Sequence, residues 1–512
     1  MIIALGLEAA EPTLIKKYCS EGYLPTFKKL IEENSFSEAL SPSSISSGST
    51  WASVNTGVNP AKHGIGFYHR QLKSGTYDIV KKYADDIKAD PFWKGLVGKG
   101  KKMAILDAPE IYPIQDFDGI IIAGWGGEAL NFKRSSWPPT LLDEVIHKFG
   151  DHPLTGWYQR VPTDVASWKE LLGKLETGMK QRIQMYSSLL MEQEWDLFYA
   201  TVAETHWVGH FFWHWIEEKH PKHQAEMAKE FEDSILKIYQ MSDDLLAKLM
   251  ELRPDAEVII FSNTGMGPNF SGRHLVPQIL EQLDLSPKTN SGILPQKKWG
   301  HHSVKKVEDL VGAKNIEFVK KIFPERLWDK WTRKFLTSGN NWKNSKVFEV
   351  PADYTSCLRI NLIGREPEGK VKDGAEYDAL CQLIIDTFME LINPATGTKA
   401  VSKVIKIRDL FKGNLVNDLP DLAIVWKGDA PIDALYSNKI KKVAGDLGDK
   451  RSGAHLPYGF VAIANNKLKP FPDREFIIED IAPTIMNMLG EQPTPNLDGK
   501  VIQREALPVL IA

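Results

Sequence analysis

Short apolar runs alternate along the chain with longer stretches that repeat apolar residues at helical spacing. Each run is only a few residues long and ends abruptly at a polar residue or a glycine, as expected for strands that are buried on both faces. The alternation predicts right-handed crossovers and an α/β fold, with a mostly parallel central sheet and helices on both faces. The strands are expected at residues 2–7 and 103–106, from 119, 196 and 257 onward, and at 420–426 and 459–464.

Helix boundaries are marked by charged residues, prolines and glycines. One helix is predicted to begin at Glu11 and Pro12, with an apolar face that continues as far as Leu30. Further helices are predicted over residues 167–193, over residues 376–391, and from near Asp480 to a stop at Gly490.

The alternating pattern loosens after about residue 276. Residues 288–344 are rich in Lys, Trp and His and are typical of an insertion that covers one edge of the sheet. The predicted organisation is a core whose first part is 1–284, a cap or insertion at 285–350, and the second part of the core at 351–512.

The composition is that of an ordinary globular protein. The chain has 512 residues, 43% of them hydrophobic and 25% charged, and its net charge of −3 gives no reason to expect nucleic acid or an anionic membrane as a partner. Met1 leads directly into the first predicted strand, and no apolar run is long enough to span a bilayer, which predicts a cytoplasmic location. A small-molecule substrate is therefore expected, whereas the oligomeric state stays open.

The stretch DLFYATVAETHWVGHFFWHW, residues 196–215, carries the most distinctive chemistry. His206, His210 and His214 are spaced four residues apart, so that on a helix the first two share a face and can bind one metal ion. The alternative is that these histidines only cap and solvate a helix packed by aromatic residues. A metal site requires a third ligand, for which we consider His455, expected in a turn just before the strand at 459–464.

Other polar residues follow predicted strands, where α/β enzymes place their active sites. Glu8 follows the first strand, although it is equally suited to the N-terminus of a helix. The hydroxyl-rich loop at 41–50 includes Ser47 and offers a cradle for an oxyanion, or simply a solvated connection. Asn263 and Thr264 occupy the carboxyl end of the strand that begins at Glu257, where ligands or substrate contacts are expected.

Glu204 precedes the first histidine of the helix by two residues. Its carboxylate can bind the metal, orient an imidazole, act as a base toward water, or cap the helix. These alternatives stay open at the level of sequence.

Several motifs together resemble the alkaline phosphatase superfamily, and in particular its branch of type I phosphodiesterases and nucleotide pyrophosphatases. The motifs that resemble catalytic segments are GLEAAEP, TWASVNTGVNPAKHGI, HWVGHFFWH, FSNTGMGPN and GAHLPYGF. Non-catalytic blocks of bacterial members are resembled by INLIGREPEGKV, LPDLAIVW and EDIAPTIMNMLGEQPTPNLDGK.

This resemblance implies a site for two divalent metals that flank a Thr or Ser nucleophile. The first metal set corresponds by position to His206, His210 and His455, so that an aspartate of the family has become a histidine. Three neutral imidazoles suit zinc and leave one coordination position open for water or substrate. The resemblance therefore implies one retained zinc site.

The second metal set corresponds to Glu8, Asn263 and Thr264, with Ser47 at the nucleophile position, ten residues before Gly57. This set lacks the carboxylate–imidazole pair of the family and carries a single negative charge. Oxygen donors of this kind hold zinc poorly, although weak binding of Mg²⁺ or Ca²⁺ is conceivable. A second divalent ion is therefore doubtful.

The first hypothesis is a metal-dependent hydrolase or transferase that acts on a phosphate or related ester. It assigns catalytic roles to Ser47 and Glu204, substrate contacts to Asn263 and Thr264, and an anionic substrate; attack by water instead of Ser47 is the alternative. One competing hypothesis is a catalytically silent relative that acts as a binding or regulatory protein. Another is a biosynthetic enzyme that uses the metal on a non-phosphate substrate.

Overall fold

The structure is a computed structural model, and it has an α/β architecture. Among the described residues, no helix combines the length and the apolar character needed to cross a membrane. The structure describes residues 1–32, 36–42, 47–66, 70–126, 134–155, 157, 161–287, 341–352, 354–464 and 475–502.

Two compact units make up the described chain. The first includes residues 1–64, 83–269 and 450–512, and the second includes residues 65–82 and 270–449. Most of the predicted cap, at 288–340, lies outside the described residues, so that the cap stays a prediction. The second unit also includes residues 351–449, which the sequence pattern had grouped with the second part of the core.

The strands follow the apolar runs of the sequence, with short additional strands between them. In chain order they are β1 (Ile2–Leu7), β2 (Phe36–Leu40), β3 (Arg70–Leu72), β4 (Ile79–Lys81), β5 (Met103–Leu106), β6 (Gly119–Ala123), β7 (Ser135–Trp137), β8 (Leu197–Val202), β9 (Glu257–Ser262), β10 (Gly265–Pro268), β11 (Val347–Val350), β12 (Ser356–Ile360), β13 (Ile392–Asn393), β14 (Thr398–Lys399), β15 (Val401–Lys406), β16 (Leu422–Trp426), β17 (Ala434–Leu435), β18 (Val443–Ala444), β19 (Gly453–Leu456), β20 (Tyr458–Ala464) and β21 (Phe476–Ile477).

The helices occupy the stretches between the strands. In chain order they are α1 (Pro12–Ser20), α2 (Pro25–Glu32), α3 (Thr50–Thr56), α4 (Pro60–His63), α5 (Leu141–Phe149), α6 (Val165–Met191), α7 (Glu204–Ile216), α8 (Ala225–Phe231), α9 (Ser234–Leu252), α10 (Val276–Gln282), α11 (Ala375–Met389), α12 (Ile407–Leu410) and α13 (Ile481–Met488).

The first unit is built on a nine-stranded sheet with the order β21-β2-β20-β9-β1-β8-β5-β6-β7. The neighbours from β9 to β6 run parallel to one another. β20 is antiparallel to both β2 and β9, and β7 is antiparallel to β6. The predicted fold class, a mostly parallel sheet in an α/β protein, is confirmed.

Both faces of this sheet are covered, which explains why its strands are continuous apolar runs. In β8 all six residues are buried. Phe198, Ala200 and Val202 belong to an apolar cluster with residues of α6, α7 and α9. Leu197 and Tyr199 belong to a second cluster with residues of α3 and α13. Since successive side chains of a strand point to opposite faces, each face receives every second residue.

The N-terminal helical region differs from its prediction. The single helix predicted from Glu11 to Leu30 is two helices, α1 and α2. Gly22 adopts a left-handed conformation with φ of +84°, and Pro25 begins the second helix. A glycine with positive φ followed by a proline ends one helix and begins the next, because proline lacks the N–H that would continue the first helix. The predicted start is confirmed, since the Glu11 side chain accepts a hydrogen bond from the backbone N–H of Thr13.

The second unit contains a four-stranded antiparallel sheet with the order β11-β12-β16-β15. Its apolar core includes residues of α10 and α11. A buried ion pair joins Arg359 Nε to Glu366 Oε1 at 2.7 Å, and the guanidinium of Arg359 also donates to the carbonyl oxygen of Leu419. A paired, hydrogen-bonded arginine of this kind can be tolerated inside a protein.

Candidate metal centre

The candidate centre begins where strand β8 ends and helix α7 starts. Ala203 is the last residue before α7, and His206 and His210 lie one helical turn apart in its first half. Their ring centroids are 4.4 Å apart, and both side chains are buried. Residues four positions apart on a helix share a face, so that these two imidazoles can bind the same ion.

The third imidazole belongs to His455, which lies far from helix α7 in the sequence. His455 was expected in a turn, but it lies in strand β19, which pairs antiparallel with β10 so that His455 is opposite Met266. Its Nε2 atom is 3.3 Å from Nε2 of His206, and its ring centroid is 4.8 Å from that of His210. One ligand atom from each of the three histidines lies within 4.8 Å of the others.

One of these distances matches the spacing of two ligands in a tetrahedral zinc site. Two nitrogens bound to one zinc at about 2.0–2.1 Å in tetrahedral geometry are separated by about 3.3–3.4 Å. The distance between the Nε2 atoms of His206 and His455 is within this range. The three histidines together form a group that can hold a metal ion.

The tautomer of His210 is set by its backbone partner. Its Nδ1 atom donates a hydrogen bond of 2.9 Å to the carbonyl oxygen of Gly453, which makes Nε2 the nitrogen with the lone pair. Histidines that bind metals commonly donate their other ring N–H in this way. Burial, together with the neighbouring His206, lowers the pKa of His210 well below its usual range and therefore favours the neutral imidazole.

Close backbone contacts between helix α7 and the residues just before His455 hold His455 near the helix. Ser452 donates its backbone N–H to the carbonyl oxygen of His210 at 2.8 Å, and its hydroxyl lies 3.1 Å from the carbonyl oxygen of Phe211. A Cβ atom on Gly453 would lie 2.1 Å from the carbonyl oxygen of Gly209. Only glycine permits this approach, a requirement that the sequence analysis did not identify although the Gly-x-His motif is visible in it.

Glu8 lies beside the three-histidine group but is not a member of it. Its Oε1 atom is 3.7 Å from Nδ1 of His206, the ring nitrogen other than the one that approaches His455. A carboxylate in this position can orient a metal-bound imidazole through its N–H. The predicted role of Glu8 as a metal ligand stays a prediction, and an orienting role beside His206 is a second possibility for the same carboxylate.

Asn263 and Thr264 are both buried and hydrogen-bonded within the protein. The amide oxygen of Asn263 accepts from the backbone N–H of Ala9 at 3.0 Å, and its amide nitrogen donates to the hydroxyl of Thr50 at 2.8 Å. The hydroxyl of Thr264 donates to the carbonyl oxygen of Leu456 at 2.6 Å. These bonds join β9 to the turn after β1, to the start of α3 and to β19.

Ser47 lies in a single 3₁₀ turn, Ser47–Ser49, that directly precedes helix α3. Its side chain lies outside the described residues, so that its predicted catalytic role stays a prediction. The oxyanion cradle proposed for this loop also includes residues 43–46, which are likewise outside the described residues.

Glu204 has different partners from those the sequence suggested. Its carboxylate accepts hydrogen bonds from Arg182 Nε, at 3.1 and 2.9 Å, and pairs with His152 Nε2 at 3.0 Å. Although burial opposes ionisation, Arg182 and His152 lower the pKa of Glu204 to about 2. A fully buried carboxylate with these partners is poorly suited to act as a base toward water, which weighs against the predicted catalytic role.

The remaining histidines of the region have other surroundings. The ring of His214 lies against Trp168 and Trp215, and its Nδ1 is 2.9 Å from the hydroxyl of Ser452. His63 Nε2 is 3.1 Å from the hydroxyl of Ser53. His301 and His302 lie outside the described residues.

A family model described as type I phosphodiesterase / nucleotide pyrophosphatase matches residues 2–346, about two thirds of the chain. The chain therefore belongs to the type I phosphodiesterase / nucleotide pyrophosphatase family. A search of curated proteins found no match.

Several solved structures resemble this chain at low identity. At these identities and TM-scores they say nothing about its chemistry. They include phosphonoacetate hydrolase from Sinorhizobium meliloti 1021 in complex with phosphonoformate (14% identity, 95% of each chain covered, TM-score 0.48), murine ectonucleotide pyrophosphatase / phosphodiesterase 5 (9%, 96% of each chain, TM-score 0.47) and wild-type alkaline phosphatase PafA (11%, 98% of each chain, TM-score 0.48).

The contact between Gly453 and Gly209 leads to a stability prediction. Gly453→Ala places a methyl group against the carbonyl oxygen of Gly209, so that β19 must move away from α7. We expect the free energy of unfolding, measured in urea, to fall by about 1–3 kcal/mol. The matched control is Gly173→Ala within α6, where an added Cβ meets nothing within 4 Å and a gain of up to about 1 kcal/mol is expected. Equal stability of Gly453→Ala and the wild type would contradict the prediction.

Proposed function

We propose that the protein is a metal-dependent hydrolase of phosphate esters, with one zinc ion bound by His206, His210 and His455. The observation that carries the proposal is the convergence of three imidazoles, with ring nitrogens of His206 and His455 3.3 Å apart. Membership of the phosphodiesterase family supports a small anionic phosphate ester as the substrate class. A bound zinc ion would act as a Lewis acid on such a substrate.

The protein's own residues would orient this centre. His210 is held by Gly453, and the carboxylate of Glu8 lies on the Nδ1 side of His206. Three neutral imidazoles and one nearby carboxylate favour a divalent cation without neutralising its charge completely. The residual positive charge would attract an anionic phosphate ester.

A single metal is proposed because the second set of candidate ligands has other hydrogen-bond partners. The amide oxygen of Asn263, the atom that would bind a cation, accepts a hydrogen bond from the backbone N–H of Ala9, and its amide nitrogen donates to Thr50. The hydroxyl of Thr264 is likewise engaged with Leu456. We therefore propose that these two residues support the edge of the sheet, in place of the substrate contacts first assigned to them.

Ser47 is proposed as the nucleophile, because it directly precedes α3 at the position that corresponds to the family nucleophile. A neutral serine is a weak nucleophile, and without a second cation Ser47 would lack the activator that serves the nucleophile of the family. Attack by water is the alternative mechanism that the same metal would support.

The first prediction concerns metal content and activity. Purified protein is expected to contain about one zinc per chain, and His210→Ala to weaken zinc binding by about a hundredfold or more, because loss of an orienting neighbour alone costs about 10–100-fold. Zinc is measured by atomic emission after dialysis, alongside hydrolysis of nitrophenyl phosphate mono- and diesters. The control His147→Ala removes an exposed histidine of α5 and is expected to keep both zinc and activity.

Other outcomes of this experiment separate the competing functions. A stable, zinc-free wild-type protein without activity would overturn the proposal in favour of a silent relative that acts by binding. A zinc-loaded protein that hydrolyses none of the phosphate esters would instead favour a biosynthetic enzyme with a non-phosphate substrate.

The nucleophile is tested with two substitutions at one position. Ser47→Ala is expected to lower kcat by about a thousandfold or more, because it removes the attacking oxygen, whereas Ser47→Thr keeps a hydroxyl and should retain measurable turnover. Zinc content should be the same in both variants. Nearly full activity in Ser47→Ala would show that water attacks the ester.

The second site is tested by restoring ligands. Asn263→Asp combined with Thr264→His supplies the carboxylate–imidazole pair that the family uses. We expect bound zinc to rise from about one to about two ions per chain, because two anionic or imidazole ligands join Glu8. The single variant Asn263→Asp is the control, and its zinc content should stay near one ion per chain. An unchanged zinc content in the double variant would contradict our explanation for the lost site.

A further inference from the structure

Helix α6 contributes an arginine to a buried network behind the candidate metal centre. Arg182 is completely buried, and its Nη1 atom donates to Asp107 Oδ2 at 2.9 Å, to the carbonyl oxygen of Thr201 at 2.8 Å, and to the hydroxyl of Tyr186 at 2.7 Å. Its Nε atom donates to both carboxylate oxygens of Glu204. One guanidinium therefore joins α6 to the carboxyl ends of β5 and β8 and to the start of α7.

The network continues through His152, and its tautomer can be assigned. The backbone N–H of Leu154 donates to Nδ1 of His152 at 3.3 Å, so that Nε2 carries the proton and donates to Glu204 at 3.0 Å. The ring of His152 also lies against Trp125, with centroids 5.0 Å apart. Glu204 is thus held from two directions.

Two glycines make room for this network. A Cβ atom on Gly178 would lie 2.5 Å from Nε2 of His152, and one on Gly126 would lie 2.4 Å from Nη2 of Arg182. The backbone N–H of Gly126 also donates to Asp107 Oδ2 at 2.9 Å. The surrounding chain is therefore fitted closely to the charged groups.

Glu204, Thr205 and His206 are consecutive, and the first two fix the turn that carries the third. Glu204 is bound to Arg182 on one side, and the hydroxyl of Thr205 donates to the carbonyl oxygen of Glu8 at 2.6 Å on the other. Both anchors precede His206 within the first turn of α7. A helical turn anchored at two successive residues leaves little freedom for the next one.

Stability alone is a weak reason for such a network. Two carboxylates, Asp107 and Glu204, share one guanidinium in the protein interior. Buried ion pairs can often be replaced by apolar side chains without loss of stability, because desolvation offsets their attraction. Their location beside a candidate metal ligand indicates a specific use.

We propose that Arg182 is a positioning residue of the metal centre, which acts through Glu204 to hold His206 toward His210 and His455. The inference rests on the proposed function, in which these three histidines bind zinc. Orientation of ligands by residues behind them is a general feature of metal sites, and its loss typically costs about 10–100-fold in affinity.

The test uses the full-length protein and measures metal binding directly. Arg182→Met is expected to weaken zinc affinity, measured by competition with a chelator, by about tenfold or more. It should also change the visible absorption of Co²⁺ bound in place of zinc, because that spectrum reports ligand geometry. The matched control is Arg359→Met in the second unit, which removes another buried arginine ion pair and should leave both readouts unchanged.

A milder substitution covers the case in which Arg182→Met does not fold. His152→Phe keeps the contact with Trp125 and removes one donor to Glu204, and a smaller change in the same two readouts is expected. Wild-type zinc affinity and Co²⁺ spectrum in folded Arg182→Met, or in His152→Phe if only that variant folds, would overturn the positioning role and leave the proposed function intact. Failure of the wild type itself to bind zinc or Co²⁺ would overturn both.

Discussion

The structure of the candidate centre depends on the contact between helix α7 and the segment that contains Ser452 and Gly453. The backbone N–H of Ser452 donates to the carbonyl oxygen of His210, and the ring of His210 donates to the carbonyl oxygen of Gly453. The segment of Ser452 and Gly453 thus donates to a backbone carbonyl of helix α7, and it also fixes the tautomer of the His210 imidazole. This reciprocity brings His455 to the helix in a defined orientation, and the absence of a side chain at Gly453 allows the approach.

Charge is distributed unevenly around the centre. The three-histidine group has the carboxylate of Glu8 beside it, whereas the ion-paired side chains Arg182, Asp107 and Glu204 lie in a separate buried network. Where the family resemblance implies a second cation, an amide and a hydroxyl bond to other parts of the protein. These hydrogen bonds join β9 to the start of α3 and to β19.

Much of the fold could be predicted from the sequence because strands buried on both faces are continuous apolar runs. The spacing of His206 and His210 also predicted their shared helical face, since local periodicity determines it. The break at Gly22 was missed because the apolar residues on either side keep a helix-like spacing. The strand that contains His455 pairs with the strand of Met266, and Glu204 pairs with Arg182 and His152. All of these partners are distant in sequence, so that no local pattern could indicate them.

The two histidines whose Nε2 atoms meet are 249 positions apart along the chain. During synthesis on the ribosome, helix α7 is made long before β19, so that the nascent protein must carry an incomplete set of imidazoles for much of its elongation. Contacts of such long sequence separation form late, because closing a large loop is entropically costly. Assembly of the three-histidine group would then follow the synthesis of β19, and translation products that end before this strand would lack one of the three imidazoles.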